Sequence, residues 1–216
     1  MEEEIKALFC SLGADLCGIA AADNFVKEPR PSDIWPQCKS VIVLAKAMPK
    51  GALISQNIKL YNFSKKLTVP VVDHISFEGS RIIEDTFDCL ALPIPSDDPA
   101  GSWDEKKQES RGIISLCHAA EFAGLGCIGR NSLVVNEIYG NRLTFGAVLV
   151  DIELMPDKPA KSICLPECDL CIKNCPAGAL KGGNTDQSLC RSYAYTGGYG
   201  AKCNICRTVC PMRFGV

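Results

Sequence analysis

Eight of the fourteen cysteines in this 216-residue chain fall between positions 164 and 210. The first group is Cys164, Cys168, Cys171 and Cys175, followed by Pro176. The second is Cys190, Cys203, Cys206 and Cys210, followed by Pro211. A cubane iron–sulfur core needs four converging thiolates, and the bacterial run C-x2-C-x2-C-x3-C-P sends its fourth cysteine to the neighbouring cluster. Cys168-x2-Cys171-x3-Cys175-Pro176 and Cys203-x2-Cys206-x3-Cys210-Pro211 both fit that run. The gap before Cys168 is one residue longer than usual, and twelve residues separate Cys190 from Cys203, so the second motif is split. The spacing predicts two [4Fe–4S] clusters, one on Cys164, Cys168, Cys171 and Cys210, the other on Cys175, Cys190, Cys203 and Cys206.

Zinc ribbons space two C-x2-C pairs by roughly fifteen to twenty residues, whereas each tight pair here runs straight into x3-C-P. The acidic N-terminus, MEEEIKALFC, lacks the features of a signal peptide. A cytoplasmic chain with reduced thiols is the expectation, which disfavours a disulfide framework. The dispersed cysteines (Cys10, Cys17, Cys38, Cys89, Cys117 and Cys127) read as small buried apolar residues.

The length allows one full domain and a smaller second one. Apolar residues make up 47% of the chain, enough for a real core. No uninterrupted apolar run reaches the roughly eighteen residues of a membrane span. The net charge of −2, with both signs interspersed, lacks the basic footprint of a nucleic-acid binder. Membrane and nucleic acid are therefore not expected as partners.

Along the chain, Ile5, Leu8, Phe9 and Leu12 mark a helix over 2–12, with Gly13 after it. Leu16 to Ala22 reads as a strand, 27–37 as a loop, and Ser40 to Ala47 as a buried β-branched strand. Residues 48–70 are ambiguous, and His74 reads as a loop residue. Ile82, Ile83, Phe87 and Leu90 mark a helix over 79–90, and 93–107 reads as an exposed loop. Ile113, Leu116, Cys117 and Ala120 mark a helix ending at Gly124. Leu133 to Val135 and Leu143 to Leu154 read as strands joined through Tyr139-Gly140-Asn141. The composition of 155–162 is that of a linker. The expected organisation is α+β, with residues 1–157 forming a cofactor-binding domain and 158–216 a ferredoxin-like double-cluster domain.

Gly124-Leu125-Gly126-Cys127-Ile128-Gly129 matches G-x-G-x-x-G, but a dinucleotide fingerprint follows a strand and opens a helix. Here a helix precedes and a strand follows. The glycines read as a sharp, close-packed turn in which positive φ is cheap. Their amides, with Arg130 and Asn131, are candidates to face a bound cofactor, so Gly124, Gly126, Gly129, Arg130 and Asn131 are the expected cofactor-binding set. The alternative for Arg130 and Asn131 is a solvated turn.

The stretch from His118 through Ala-Gly-Leu-Gly-Cys-Ile-Gly-Arg-Asn-Ser-Leu to Val135, then Tyr139-Gly140 and the strand to Asp151, resembles the epoxyqueuosine reductase family. That family carries an AGLG-x-x-G-[KR]-N-[ST]-L-L segment and a following aromatic–Gly turn. Its split second cysteine motif is similar to Leu189-Cys190-Arg191-Ser192-Tyr193 and to the run from Cys203 to Pro211. The likeness spans roughly residues 10–22, 38–48 and 110–212, and is most specific from His118 onward. The resemblance implies a nitroreductase-like core that binds cobalamin beside two [4Fe–4S] clusters, and kinship with corrinoid-dependent reductive dehalogenases. It also exposes a departure. The family places a proton-donating Asp about thirteen residues before its AGLG, where this chain has Glu109-Ser110-Arg111. Asp73-His74 does not have the spacing of a D-x-H-x-x-G corrinoid motif, so a corrinoid would bind without that His.

Three residues are candidates for proton transfer. Glu109 neighbours the lost acid. His118 precedes the glycine turn, and imidazole titrates near working pH; its alternative role is structural. Tyr193, with Tyr195, Tyr199 and the glycines at 197, 198 and 200, forms an aromatic–glycine patch between cluster ligands. That patch reads either as a loop shielding a cluster or as a lid over the substrate. Two functions remain open. One is an oxidoreductase passing electrons from the clusters to a cofactor and a small substrate; the other is a non-catalytic electron-transfer or corrinoid-reducing protein. Both require a redox partner protein, and the oligomeric state is not legible.

Overall fold

Ser40–Ala47 is an apolar run whose first six residues are all buried, and a strand buried on both faces needs a layer of structure on each side. The computed structural model describes residues 1–26, 29–96, 103–195 and 203–216. The chain opens with α1 (Glu2–Ser11), β1 (Leu16–Ala21), a 3-10 turn at Ala22–Asn24, α2 (Pro31–Ile34), β2 (Ser40–Ala47), α3 (Lys50–Ile54) and the long α4 (Ile58–Phe87). It continues with β3 (Ala91–Ile94), the short pair β4 (Trp103–Asp104) and β5 (Glu109–Ser110), α5 (Leu116–Phe122), a second short pair β6 (Cys127–Ile128) and β7 (Val134–Val135), and β8 (Leu143–Val150). The cysteine segment adds α6 (Leu170–Lys173), α7 (Gln187–Ala194) and α8 (Ile205–Thr208).

The main sheet has the order β1-β2-β8-β3 and is antiparallel throughout. Because side chains alternate along a strand, β2 sends Val41, Val43 and Ala45 to a core with Ala119, Ala120 and Ala123 around α5. It sends Ile42 and Leu44 to a second core with Ile5 and Phe9 of α1 and Val72, Ile75 and Ile83 of α4. Two close approaches set the second layer. A Cβ on Gly79 would lie 2.2 Å from the Phe9 ring, and one on Gly146 would lie 2.6 Å from Val72 Cγ1. Pro93 sits in β3, at the sheet edge, where a missing N–H is tolerated.

Helix α4 replaces both the ambiguous 48–70 segment and the loop expected at His74, and it runs through Pro70. An internal proline costs about 3 kcal/mol. That cost is offset by the buried face of Tyr61, Thr68, Val72, Ile75, Ser76, Gly79, Ser80 and Ile83. The hydroxyls on that face are satisfied within the helix: Thr68 Oγ1 donates to Ser64 O (2.8 Å) and Ser80 Oγ to Ser76 O (2.8 Å). At its start, Asn57 Oδ1 accepts from Lys59 N at 3.0 Å. Asn57→Ala should cost about 1 kcal/mol, read as a lower urea midpoint at unchanged slope.

The region expected as a loop over 27–37 contains α2, and the one over 93–107 contains β3's end and β4; positions 27–28 and 97–102 lie outside the described residues. β7 pairs with β6 rather than with β8. Among the described residues, no helix is long and apolar enough to cross a membrane.

Candidate functional site

The two cysteine runs repeat the same local geometry. In each, a four-residue helix (α6 or α8) follows the first cysteine of the tight pair, after Asp169 or Asn204 in near-identical backbone conformations (φ −122° and −138°). The two helices pack side by side. This brings Cys164, Cys168, Cys171 and Cys210 around one small cavity, together with Arg130, Asn131 and Pro211. Burial first, then the charges of Cys164, Cys171 and Cys168, pushes the Cys210 thiol up. The other four form a second neighbourhood. The Cys206 thiol is pushed up to about 11, chiefly by burial and further by Cys203, Cys190 and Cys175, with Arg207 opposing. Cys190 is exposed as a residue, but burial and then Cys203 and Cys175 raise its thiol too. Cys175 Sγ accepts from the Ala179 amide at 3.3 Å.

Burial pushes the Cys171, Cys190, Cys206 and Cys210 thiols up, and a cationic inorganic core offsets that penalty by binding the thiolates. The donor chemistry of both sets therefore fits an iron–sulfur core. Among the described residues, no group of three or more His, Cys, Asp or Glu forms a site for a metal ion. Of the dispersed cysteines, Cys38, Cys89 and Cys127 are buried and Cys17 and Cys117 partly so, while Cys10 is exposed, against expectation. Cys127 Sγ accepts from Ile163 N at 3.3 Å, holding the start of the cysteine segment.

The glycine turn and its neighbours are occupied with protein contacts. Arg130 Nη1 donates to Cys168 O at 3.0 Å, and Asn131 Nδ2 donates to Cys206 O at 2.9 Å. Asn141 Nδ2 donates to Arg207 O at 3.0 Å, adding a third such contact. A Cβ on Gly124 would lie 2.6 Å from Lys158 O, one on Gly126 2.7 Å from Val135 O, and one on Gly129 3.1 Å from Asn131 Oδ1. Of the expected cofactor-binding set, Gly124, Arg130 and Asn131 thus meet the segment that carries the cysteines, while Gly126 and Gly129 close against Val134, Val135 and Asn131. Arg130 and Asn131 also line the cavity of the first cysteine set, so the solvated-turn alternative does not describe them.

A separate cavity of about 860 Å³ is lined by Phe25, Val26, Pro29, Glu109, Ser110, Arg111, His118, Phe122 and Gln187 among others. Two of the expected proton-transfer residues, Glu109 and His118, share this cavity. Tyr193 is a half-exposed residue of α7 and is not among the described residues lining it; positions 197–200 of the aromatic–glycine patch lie outside the described residues. The Glu109 carboxylate accepts from Arg111 Nε at 2.8 Å. His118 Nδ1 lies 2.6 Å from Ser115 Oγ, the residue that caps α5. Gln187 closes the wall from the other side: its Oε1 accepts from Ser110 N at 2.7 Å and its Nε2 donates to Ser110 O at 3.2 Å. Phe25, Val26, Pro29 and Gln187 carry no motif, and only the fold brings them to the cavity.

No protein-family model matches the chain. It is 32% identical over 258 aligned positions to an epoxyqueuosine reductase of Listeria monocytogenes, covering all of this chain and 65% of that protein. The chain spans less than two thirds of the length of the curated relatives it matches first. Among solved structures, an epoxyqueuosine reductase with an epoxyqueuosine-modified tRNA stem-loop superposes with a TM-score of 0.72 at 21% identity, over 98% of this chain and 64% of that one. A catabolic reductive dehalogenase superposes with a TM-score of 0.78 at 18% identity, over 99% and 32%. The mixed α+β fold is common to all three. One of these proteins holds a tRNA stem-loop, so setting nucleic acid aside on net charge alone does not carry over to every protein of this fold. The glycine turn, the split cysteine motif and the shared fold agree: the chain belongs to the epoxyqueuosine reductase-like family, as a divergent member.

Proposed function

We propose that the chain is an iron–sulfur oxidoreductase that passes electrons from two [4Fe–4S] clusters to a cofactor, cobalamin by family resemblance, and on to a small substrate. The observation that carries this reading is α7, which bears Cys190 and, one turn earlier, Gln187 in the wall of the 860 Å³ cavity. One helix therefore joins a cluster ligand to the chamber. The clusters would supply one-electron transfer, and a corrinoid would supply a reducible metal. A chamber of this size, with Phe25, Val26, Pro29 and Phe122 as apolar wall and Ser110, His118 and Gln187 as polar contacts, suits a cofactor.

Of the two candidate acids in the chamber, His118 is the better donor. The Glu109 carboxylate is engaged by Arg111 Nε at 2.8 Å, whereas the Nε2 edge of the His118 ring has no such cationic partner among the described residues. When Nδ1 of His118 accepts the Ser115 hydroxyl proton, Nε2 carries the ring's N–H. Ser110 stands where the family has its Asp, and its backbone is tied to Gln187. That substitution favours a second reading, a corrinoid-reducing or electron-transfer protein without chemistry of its own. An external redox protein supplies the electrons in either reading.

Anaerobically reconstituted protein titrated with cob(II)alamin should change the EPR and visible spectra. Supplied with dithionite as electron source, it should then reduce an epoxyqueuosine-type or halogenated small substrate. His118→Gln should lower turnover by about 10²–10⁴-fold while leaving corrinoid binding unchanged. Absence of binding rejects the corrinoid; binding without turnover selects the second reading.

A further inference from the structure

Helix α4 buries one face and leaves the other apolar. Leu60, Phe63, Leu67, Val71 and Phe77 are exposed large hydrophobic side chains on it, with Phe63 at 62% and Leu67 and Phe77 at 52%. At 100° per residue these positions fall in one stripe, with Pro70 and His74 between them. From Leu60 to Phe77 the stripe runs roughly 26 Å at 1.5 Å per residue. Single exposed hydrophobics need no explanation, but a contiguous apolar patch marks an interaction site.

The charges along the helix say what covers it. The first half, 58–72, carries Lys59, Lys65 and Lys66 and no acid; the second half, 73–87, carries Asp73, Glu78, Glu84 and Asp85 against a single Arg81. Such a helix is complementary to itself only when turned end for end. We infer that this face of α4 docks on the same face of a second copy of the chain, antiparallel about a two-fold axis near residues 68 and 69. The contact is isologous, so each pairing occurs twice. Leu60 then lies opposite Phe77 of the other copy, Leu67 opposite Pro70, and Lys59 level with Glu78, which is also paired with Arg81 of its own helix at 3.3 Å. A parallel arrangement would set lysines against lysines. The proposal is independent of the cluster and cavity assignments, because α4 carries none of those residues.

Sedimentation velocity on the full, reconstituted chain tests it. The wild type should sediment as a dimer that dissociates on dilution. Leu67→Glu, at an exposed position, should give a monomer with unchanged far-UV circular dichroism and cluster absorbance. Lys59→Glu should weaken the dimer by about tenfold or more, through like charges placed opposite each other twice. The double variant Lys59→Glu/Glu78→Lys should restore it, which only self-pairing in this register achieves. A wild type that is monomeric at every concentration overturns the proposal, as does a dimer indifferent to Leu67→Glu. Capture of the monomer by anionic phosphatidylglycerol vesicles, abolished by Leu67→Glu, would also overturn it, in favour of a lipid surface.

Discussion

Gly140→Ala should cost about 2–5 kcal/mol and strip iron from the cluster proposed on the Cys210 set, while the main sheet stays folded. Two separate penalties combine. Gly140 has φ +61°, where an L-residue costs roughly 1–2 kcal/mol. An added Cβ would also lie 2.2 Å from both C and O of Arg213 and 2.5 Å from Met212 O. Those atoms are backbone, and Gly140 itself is held by a reciprocal pair of 2.9 Å hydrogen bonds with Asn136, so neither side yields cheaply; forced overpacking of this kind adds about 1–3 kcal/mol. The displaced segment carries the consequence to the site. Arg213 donates to Cys210 O through both its amide (3.1 Å) and Nη1 (3.2 Å), so moving Arg213 moves the ligand. Gly178→Ala is the control: φ is +59°, yet an added Cβ meets nothing within 4 Å. It should lose only the conformational term and keep its iron. Denaturant melts together with iron analysis separate the two variants. Equal iron loss in both would refute the close-contact account.

That contrast explains what the sequence could and could not announce. Tyr139-Gly140-Asn141 is legible as a turn because glycine and asparagine tolerate left-handed backbone, but nothing local says that Arg213 presses on it from 73 residues away. The same holds for Arg130 and Asn131. Their neighbourhood is recognisable as special, yet their partners are carbonyls of Cys168 and Cys206, which only docking supplies. β2 is legible to the residue because both of its faces are buried over its first six residues and Val41 to Ala45 is an uninterrupted apolar run. Helix α4 is not, because Pro70 and the β-branched Thr68, Val69, Val71 and Val72 argue locally for extended chain, and the packing of its buried face overrides them. The grouping of Cys164, Cys168 and Cys171 with Cys210 is a reading of motif order, and in the fold these four line one small cavity. The chamber beside Ser110 is half legible, through Glu109 and His118; its apolar wall comes from Phe25, Val26, Pro29 and Phe122, none of which carries a motif.

Cys190→Ala should remove about half of the iron, on the order of four of eight atoms for two cubane clusters, and should abolish reductive turnover. The split second motif makes this the sharpest test of the proposed ligand sets, because twelve residues separate Cys190 from Cys203. What ties Cys190 to its set is α7. Asp186 Oδ1 accepts from Leu189 N at 3.0 Å to start the helix, Cys190 N donates to Asp186 O at 3.0 Å, and burial followed by the charges of Cys203 and Cys175 pushes the Cys190 thiol up. Losing one ligand of four leaves one iron of the proposed cubane without its thiolate, so the cluster should be released rather than retained in weakened form. The other set, which shares no cysteine with it, should keep its iron and its share of the absorbance. Turnover should fall further than the roughly 10–100-fold that supporting-contact changes cost at metal sites, because the helix that joins the cluster to the chamber has lost its redox centre. Cys127→Ala is the matched control. Its sulfur accepts from Ile163 N, so the variant should lose some stability and no iron. Full iron retention in Cys190→Ala would overturn the split-motif assignment. Loss of all the iron would instead mean that the two sets form and fail together, and the independence of the two neighbourhoods would have to be abandoned.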